Sequence, residues 1–150
     1  MLMSIWELEE GTRGKVKSKR VGKTAGEVSG EFAGITTDSR KDSKNKIFFA
    51  LKGDTHDGHD FIEAVVKSGA GAVVFHEWNP AWQPLLKDTT WVQVDDTLKA
   101  LQNLARFWRK KWGKKVIGVT GSNGKTSVKD FTHTILSGQY KVLKNQDSFN

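Results

Sequence analysis

The sequence predicts an α/β protein in two parts: a mixed α/β domain over residues 1–113, and the opening of a phosphate-binding β-loop-α unit over residues 114–150. Three observations predict it. The apolar, β-branched run Val116-Ile-Gly-Val-Thr120 turns at once into Gly121-Ser122-Asn123-Gly124-Lys125-Thr126-Ser127, and a helix-compatible segment follows. Residues 46–75 read strand, helix, strand, the order of a βαβ unit. A long amphipathic segment then runs from residue 96 to Gly113, where the second part begins.

Taken in order, Ser4-Ile5-Trp6-Glu7 has the spacing of a helix capping box, which predicts a short helix to about Glu10 that Gly11 and Gly14 end. Residues 12–30, rich in Gly, Lys, Ser and Thr, predict a loop or a weak edge hairpin. Glu31 to Asp38 alternates well enough for a strand ending at Asp38-Ser39-Arg40, and Lys46 to Leu51, apolar on both faces, predicts a central strand. A loop dense in Gly, Asp and His, Lys52 to His59, follows it. Phe61, Ala64 and Val65 mark the apolar face of a helix that Gly69 stops, and Ala72 to Phe75 is the next strand. Both prolines fall in the loop Trp78 to Pro84, before a short strand at Trp91 to Val94. Asp95 or Asp96 caps a long helix with Leu98, Leu101, Leu104, Ala105, Trp108 and Trp112 on one face. The second part is predicted as a buried strand at 116–120, a helix from about Gly124 to Ser137 and a strand at Tyr140 to Leu143.

The loop is the short form Gly121-x-x-Gly124-Lys125-Thr126, with Val119 standing where the longer phosphate-loop pattern has glycine. Its chemistry follows from the residue types. Gly121 and Gly124 permit backbone conformations that turn successive N–H groups inward, and a helix N-terminus adds partial positive charge. Lys125 then reaches the β- and γ-phosphates of a nucleotide, and the Thr126 hydroxyl ligates Mg²⁺. The competing reading is an ordinary surface turn, and Lys-Thr directly after the second glycine argues against it.

Composition narrows the partners. There are 24 Lys and Arg against 17 Asp and Glu, a formal charge of +7, which favours an anionic partner and leaves its class open. The absence of cysteine removes disulfides and thiolate metal sites. No apolar run approaches the roughly 20 residues of a membrane span, and the N-terminus carries Glu7, Glu9 and Glu10 instead of a basic leader. The expectation is a soluble, cytoplasmic protein that binds neither membrane nor nucleic acid. The cluster Lys15, Lys17, Lys19, Arg20 and Lys23 reads as a solvated face, since no aromatic residues are interleaved for base stacking.

Three smaller constellations carry potential chemistry. His56, Asp57 and His59 hold potential metal-ligand types, but their spacing matches no zinc pattern and Asp-Gly is turn chemistry. His76 and His133 stand alone and read as structural. Asp38-Ser39-Arg40 offers a hydroxyl and a guanidinium at a strand end, where parallel sheets collect ligands.

With Asp38-Ser39-Arg40, Ile47-Phe-Phe-Ala-Leu-x-Gly53, Asp57-Gly58-His59-x-Phe61, Gly69-Ala70 and Thr120-Gly-Ser-Asn-Gly-Lys-Thr126 in view, residues 31–150 resemble the Mur ligase family. These are ATP-dependent enzymes of peptidoglycan precursor synthesis. Ser122 and the terminal Asp147-Ser-Phe-Asn150 lean toward the branch that adds D-alanyl-D-alanine to UDP-N-acetylmuramoyl-tripeptide, with the branch adding diaminopimelate or lysine second. The resemblance implies that residues 1–113 hold the uridine diphosphate end of the substrate, with Ser39 and Arg40 as contacts and Thr55, His56, Asp57 and His59 lining the site. Residues 121–127 would hold ATP, with Lys125 as the catalytic cation and Thr126 on Mg²⁺. The full enzyme would activate the substrate carboxylate as an acyl phosphate, which the incoming amine attacks. Because the family continues well past 150 residues, the expectation is the N-terminal third of a ligase, inactive alone and prone to self-association.

Two other classes compete with it: a nucleotide- or uridine-binding module without catalysis, and a basic nucleic-acid-binding protein. The second rests on Phe107-Trp-Arg-Lys-Lys-Trp112, whose tryptophans core packing explains more simply.

Overall fold

The computed structural model describes residues 2–17 and 31–145, and the chain divides into two compact units, Met1–Gly113 and Lys114–Asn150. Lys19, Arg20 and Lys23 of the basic cluster, and the terminal Asp147 to Asn150, lie outside the described residues.

The first unit opens with β1 (Met3–Ser4) and α1 (Ile5–Thr12). The expected capping box is present: Ser4 Oγ accepts from the Glu7 N–H at 3.2 Å, and the Glu7 carboxylate accepts from the Ser4 N–H at 2.8 Å. The helix does not stop at Gly11. It runs to Thr12 and ends at Arg13 in the left-handed region (φ 58°), because Gly11 is used for contact: a Cβ there would lie 2.3 Å from Leu104 Cδ1.

β2 (Lys15–Lys17), β3 (Glu31–Phe32), β4 (Gly34–Thr36) and β5 (Lys46–Phe49) follow. The single strand expected over 31–38 is thus two, serving different sheets: β3 pairs with β1, and β4 with β5. After a 3₁₀ turn at Gly58–Phe61 come α2 (Ile62–Lys67), β6 (Ala72–Phe75), two short 3₁₀ turns, β7 (Thr90–Gln93) and α3 (Thr97–Trp112). The main sheet has the order β2-β7-β6-β5-β4, with β4 to β7 parallel and β2 antiparallel at one edge.

Alternation along the strands splits the core between the sheet's faces. Ile47, Phe49, Ala72, Val74 and Val92 pack with Leu8, Ala100 and Leu104 beneath α1 and α3. Phe48, Val73 and Phe75 pack with Ile62, Val65 and Leu86 on the α2 side. Two helical faces differ from expectation. α2 buries Ile62 and Val65 and leaves Phe61 and Ala64 exposed; α3 buries Thr97, Ala100 and Leu104 and exposes Leu98, Ala105 and Trp112. The α3 stripe is rotated because Gly11 brings α1 onto Leu104, so the small Ala100 lies inward. Asp96 is the cap, accepting from the Lys99 N–H at 2.9 Å, and Gly113 ends the helix at φ 63°.

In the second unit, α4 (Lys125–Ser137) forms as expected, but neither flanking strand does. A strand's backbone groups need ladder partners, and none of the described residues pairs with 116–120 or 140–143. Val116 and Ile117 are accordingly 60% and 62% exposed, against an expected buried strand.

Candidate functional site

Because β4 to β7 are parallel, the segments leaving their carboxyl ends, 38–40, 50–59, 76–78 and 94–96, share one edge of the sheet. Asp38 clamps Arg40 there. Its Oδ1 accepts from the Arg40 N–H at 3.1 Å and from Nε at 2.9 Å, and its Oδ2 accepts from Nη2 at 3.0 Å. The guanidinium and its backbone N–H hold the Asp38 carboxyl down to about 2. The Arg40 side chain stays exposed while its root is held, and Ser39 beside it is half-buried.

The 52–59 loop is closed at its base. Gly58 N–H donates to Leu51 O at 2.7 Å, Gly53 N–H donates to His56 O at 2.9 Å, and Thr55 and His56 are carried outward, exposed. His59, expected to line the site with them, is not on this outer surface. It is buried, with Asp57 Oδ1 2.6 Å from its Nδ1 and its Nε2 accepting from the backbone N–H groups of His76 (3.2 Å) and Glu77 (3.4 Å). Nδ1 therefore faces the Asp57 carboxylate, and Nε2 serves as the acceptor. Asp57 is likewise turned inward: burial pushes its carboxyl up, but the His59 bonds and nearby Lys52 outweigh this and hold it below the usual range. Both residues shape the loop, and an Asp-x-His pattern after a strand does not by itself tell shaping from contact.

Sequence reasoning missed Lys52 and Glu77. Lys52 Nζ lies 3.2 Å from Glu77 Oε1 and 3.6 Å from Asp57 Oδ2, joining the ends of β5 and β6. The signal that could have found Lys52 was a lone cation immediately past an apolar strand. No hydrogen bond or ion pair joins 38–40 to 52–59 among the described residues; the two share the sheet edge. Neither of two surface grooves, about 340 Å³ beside Trp78 and Trp91 and about 850 Å³ between α1 and α3, includes Ser39, Arg40 or residues 55–59.

In the second unit, Gly121 (φ 151°) and Gly124 (φ 77°) take backbone conformations that side-chain-bearing residues rarely adopt. Gly124 caps α4 without a side chain to occupy the first N–H groups, and a Cβ there would meet nothing within 4 Å, so the helix N-terminus is open. Lys125 bends back to donate to Gly121 O at 2.8 Å, across the loop. Ser122, Asn123, Thr126 and Ser127 are exposed around it. This arrangement of backbone donors and one cation suits a phosphate chain. Among the described residues no group of three or more His, Asp or Glu gathers as a metal site, and no helix is long and apolar enough to cross a membrane.

Residues 31–109 match the Mur ligase family, catalytic domain. The chain belongs to the Mur ligase family. Over 117 residues it is 43% identical to the UDP-N-acetylmuramoyl-tripeptide:D-alanyl-D-alanine ligase of Bacillus subtilis, a match covering 78% of this chain and 25% of that protein. Over 104 residues it is 39% identical to the UDP-N-acetylmuramoyl-L-alanyl-D-glutamate:2,6-diaminopimelate ligase of Clostridium tetani, covering 68% and 21%. Among solved structures it resembles MurF from Acinetobacter baumannii, with a TM-score of 0.75 at 29% identity, covering 93% of this chain and 28% of that one. MurF ligase from Thermotoga maritima, in complex with ADP, aligns with a TM-score of 0.61 at 28% identity, covering 77% and 26%. The fold of this Mur ligase chain is therefore the α/β fold the sequence predicts, and the chain spans about a quarter of the length of the curated relatives it matches.

Proposed function

We propose that this chain carries part of an ATP-dependent amide ligase of peptidoglycan precursor synthesis, which adds D-alanyl-D-alanine to UDP-N-acetylmuramoyl-tripeptide. Residues 1–113 bind the uridine diphosphate end of the substrate, and residues 114–150 open the ATP-binding domain. The observation that carries the reading is the glycine-built loop at the start of α4, with Lys125 folded onto the Gly121 carbonyl; the relatives' names supply the substrates. The reaction belongs to a protein of the relatives' length, in the cytoplasm where its nucleotide substrates are found.

Each group then has a task. The Arg40 fork, anchored through Nε and Nη2 by Asp38, presents its outer donors to the diphosphate, and Ser39 adds a hydroxyl. Thr55 and His56 offer contacts from the loop that Asp57, His59 and Lys52 hold in shape. The N–H groups of Gly121 to Ser127 receive phosphate oxygens, Lys125 exchanges the Gly121 carbonyl for phosphate, and the Thr126 hydroxyl serves Mg²⁺. ATP with Mg²⁺ supplies the phosphoryl group that activates the substrate carboxylate. Lys125 stabilises the charge of that transfer electrostatically.

Titrating the 150-residue chain with UDP-N-acetylmuramoyl-tripeptide tests the substrate half. Arg40→Ala is expected to weaken binding about tenfold or more, the scale of a lost charge-assisted pair; equal affinity removes Arg40 from the site. A preference for the dipeptide acceptor, UDP-N-acetylmuramoyl-L-alanyl-D-glutamate, would favour the diaminopimelate-adding branch instead, which the Clostridium tetani match keeps in view.

A further inference from the structure

The solvent side of the α1 and α3 pair carries a groove that the ligase reading does not use. Trp6 meets Phe107, Glu7 pairs with Lys111 and Gly11 touches Leu104, so early α1 lies against late α3 and the helices run antiparallel. The groove between them, about 850 Å³, is lined by Arg13, Lys99, Arg106, Arg109 and Lys110, with Glu10 as its single carboxylate. None of the five cations is ion-paired among the described residues, whereas Lys46, Lys52, Lys67 and Lys111 each have a carboxylate partner.

Arg109 and Lys110 sit in the last turn of α3, where the helix dipole favours cations, but that does not account for the rest of the charge. Lys99 lies in the first turn of α3, where the helix dipole disfavours a cation, and Arg106 and Lys110 are like charges one turn apart. Lys99, Asn103, Arg106 and Lys110 form one row along α3, spanning about 16 Å at the helical rise per residue. A flat lipid surface does not enter a furrow between two helices. Single-stranded nucleic acid needs open ring faces, and Phe107, the aromatic residue of the lining, is engaged edge to face by both Trp6 (6.5 Å) and Trp108 (6.3 Å). An acidic polypeptide fits both constraints: its side chains reach into a furrow, and carboxylates neutralise the row.

We propose that the groove between α1 and α3 is a docking surface for an acidic segment of another protein. The experiment measures anisotropy of a dye-labelled oligoglutamate of about eleven residues, the helical length of the row, with the 150-residue chain at low and physiological salt. The double variant Arg106→Glu, Lys110→Glu is compared with Lys44→Glu, Lys87→Glu, which changes net charge equally away from the groove. Binding that weakens with salt, falls about tenfold or more in the groove variant and changes less than about threefold in the control supports the proposal. Equal losses in the two variants mean bulk charge and overturn it, as does no binding at all. Preferential binding of oligothymidylate or of anionic phosphatidylserine vesicles, lost in the groove variant, also overturns it in favour of that ligand.

Discussion

Gly58→Ala puts the shape of the 52–59 loop to the test. A Cβ at residue 58 would lie 2.7 Å from both Leu51 N and Leu51 O and 2.8 Å from the Ala50 carbonyl carbon. All three are backbone atoms, so no rotamer change relieves the contact, and Ala50 is itself tied into the sheet through Val74 O at 2.9 Å. Ordinary contacts begin near 3.4 Å, so loop or strand end must give by about 0.7 Å. Overpacking of this kind costs about 1–3 kcal/mol, and weakening the 2.7 Å bond from Gly58 N–H to Leu51 O costs about 1 more. The expected loss is about 2–4 kcal/mol. All six tryptophans fall within residues 1–113, so urea unfolding followed by tryptophan fluorescence reads that unit. The control is Gly34→Ala, where a Cβ meets nothing within 4 Å and stability should stay within about 0.5 kcal/mol. If Gly58→Ala proves as neutral as the control, the loop is not closed against β5 as described, and the account of how Asp57 and His59 are positioned falls with it.

Further expectations follow from other contacts. Gly11→Ala should destabilise by about 1–2 kcal/mol despite the roughly 1 kcal/mol a helix normally gains from alanine, because the methyl would meet the fully buried Leu104 at 2.3 Å; a net gain in urea would disprove the close approach. Burial pushes the Glu7 carboxyl up, but its bonds to Lys111 and Ser4 outweigh this and hold it below its ordinary 4.5. A depressed carboxyl stabilises above its unfolded pKa and loses that contribution as pH falls through the folded one. Glu7→Gln should therefore cost about 1–2 kcal/mol at neutral pH, with the gap to wild type closing below about pH 4.5; a gap that persists unchanged into acid would contradict the assignment. Lys125→Ala in a full-length ligase should keep the fold and lose ATP turnover by several kcal/mol at the transition state, checked by phosphate release; retained turnover would move the ATP site elsewhere. Val128, Phe131 and Ile135 are 50%, 68% and 75% exposed on α4, so light scattering of the 150-residue chain should show a dimer or larger species that Phe131→Glu returns to monomer; a wild-type monomer would refute self-association through α4.

The sequence was most readable where structure is decided by a few neighbouring residues. The capping pair Ser4 and Glu7, the cap expected at Asp95 or Asp96, which is Asp96, and the helix stop at Gly69 each depend on groups within a turn of one another, and each is present. Apolar runs at Ile47 and Ala72 are buried parallel strands for the same reason they looked so, since both faces of their sheet are covered. Readings failed where a distant residue decides. Gly11 looks like a stop until Leu104, ninety-three positions away, is laid against it. Leu98 and Trp112 look like core until the α1 contact rotates α3 toward Ala100.

The second unit separates two kinds of sequence signal that usually travel together. Val116 to Thr120 has the same apolar, β-branched character as β5, yet β5 is flanked by β4 and β6 and covered on both faces, while 116–120 has no partner among the described residues and stands exposed. Hydrophobic pattern thus reports what a segment is able to bury, and burial itself waits on neighbours supplied from elsewhere. The phosphate loop obeys the opposite rule. Its geometry needs only the positive φ of Gly121 and Gly124 and the first turn of α4, all local, and it forms with the adjoining strand absent. Backbone donors and Lys125 are therefore in place without a neighbouring strand among the described residues to hold them. The loop's geometry is thus written into a few consecutive residues, whereas the burial of the segment before it depends on partners from elsewhere.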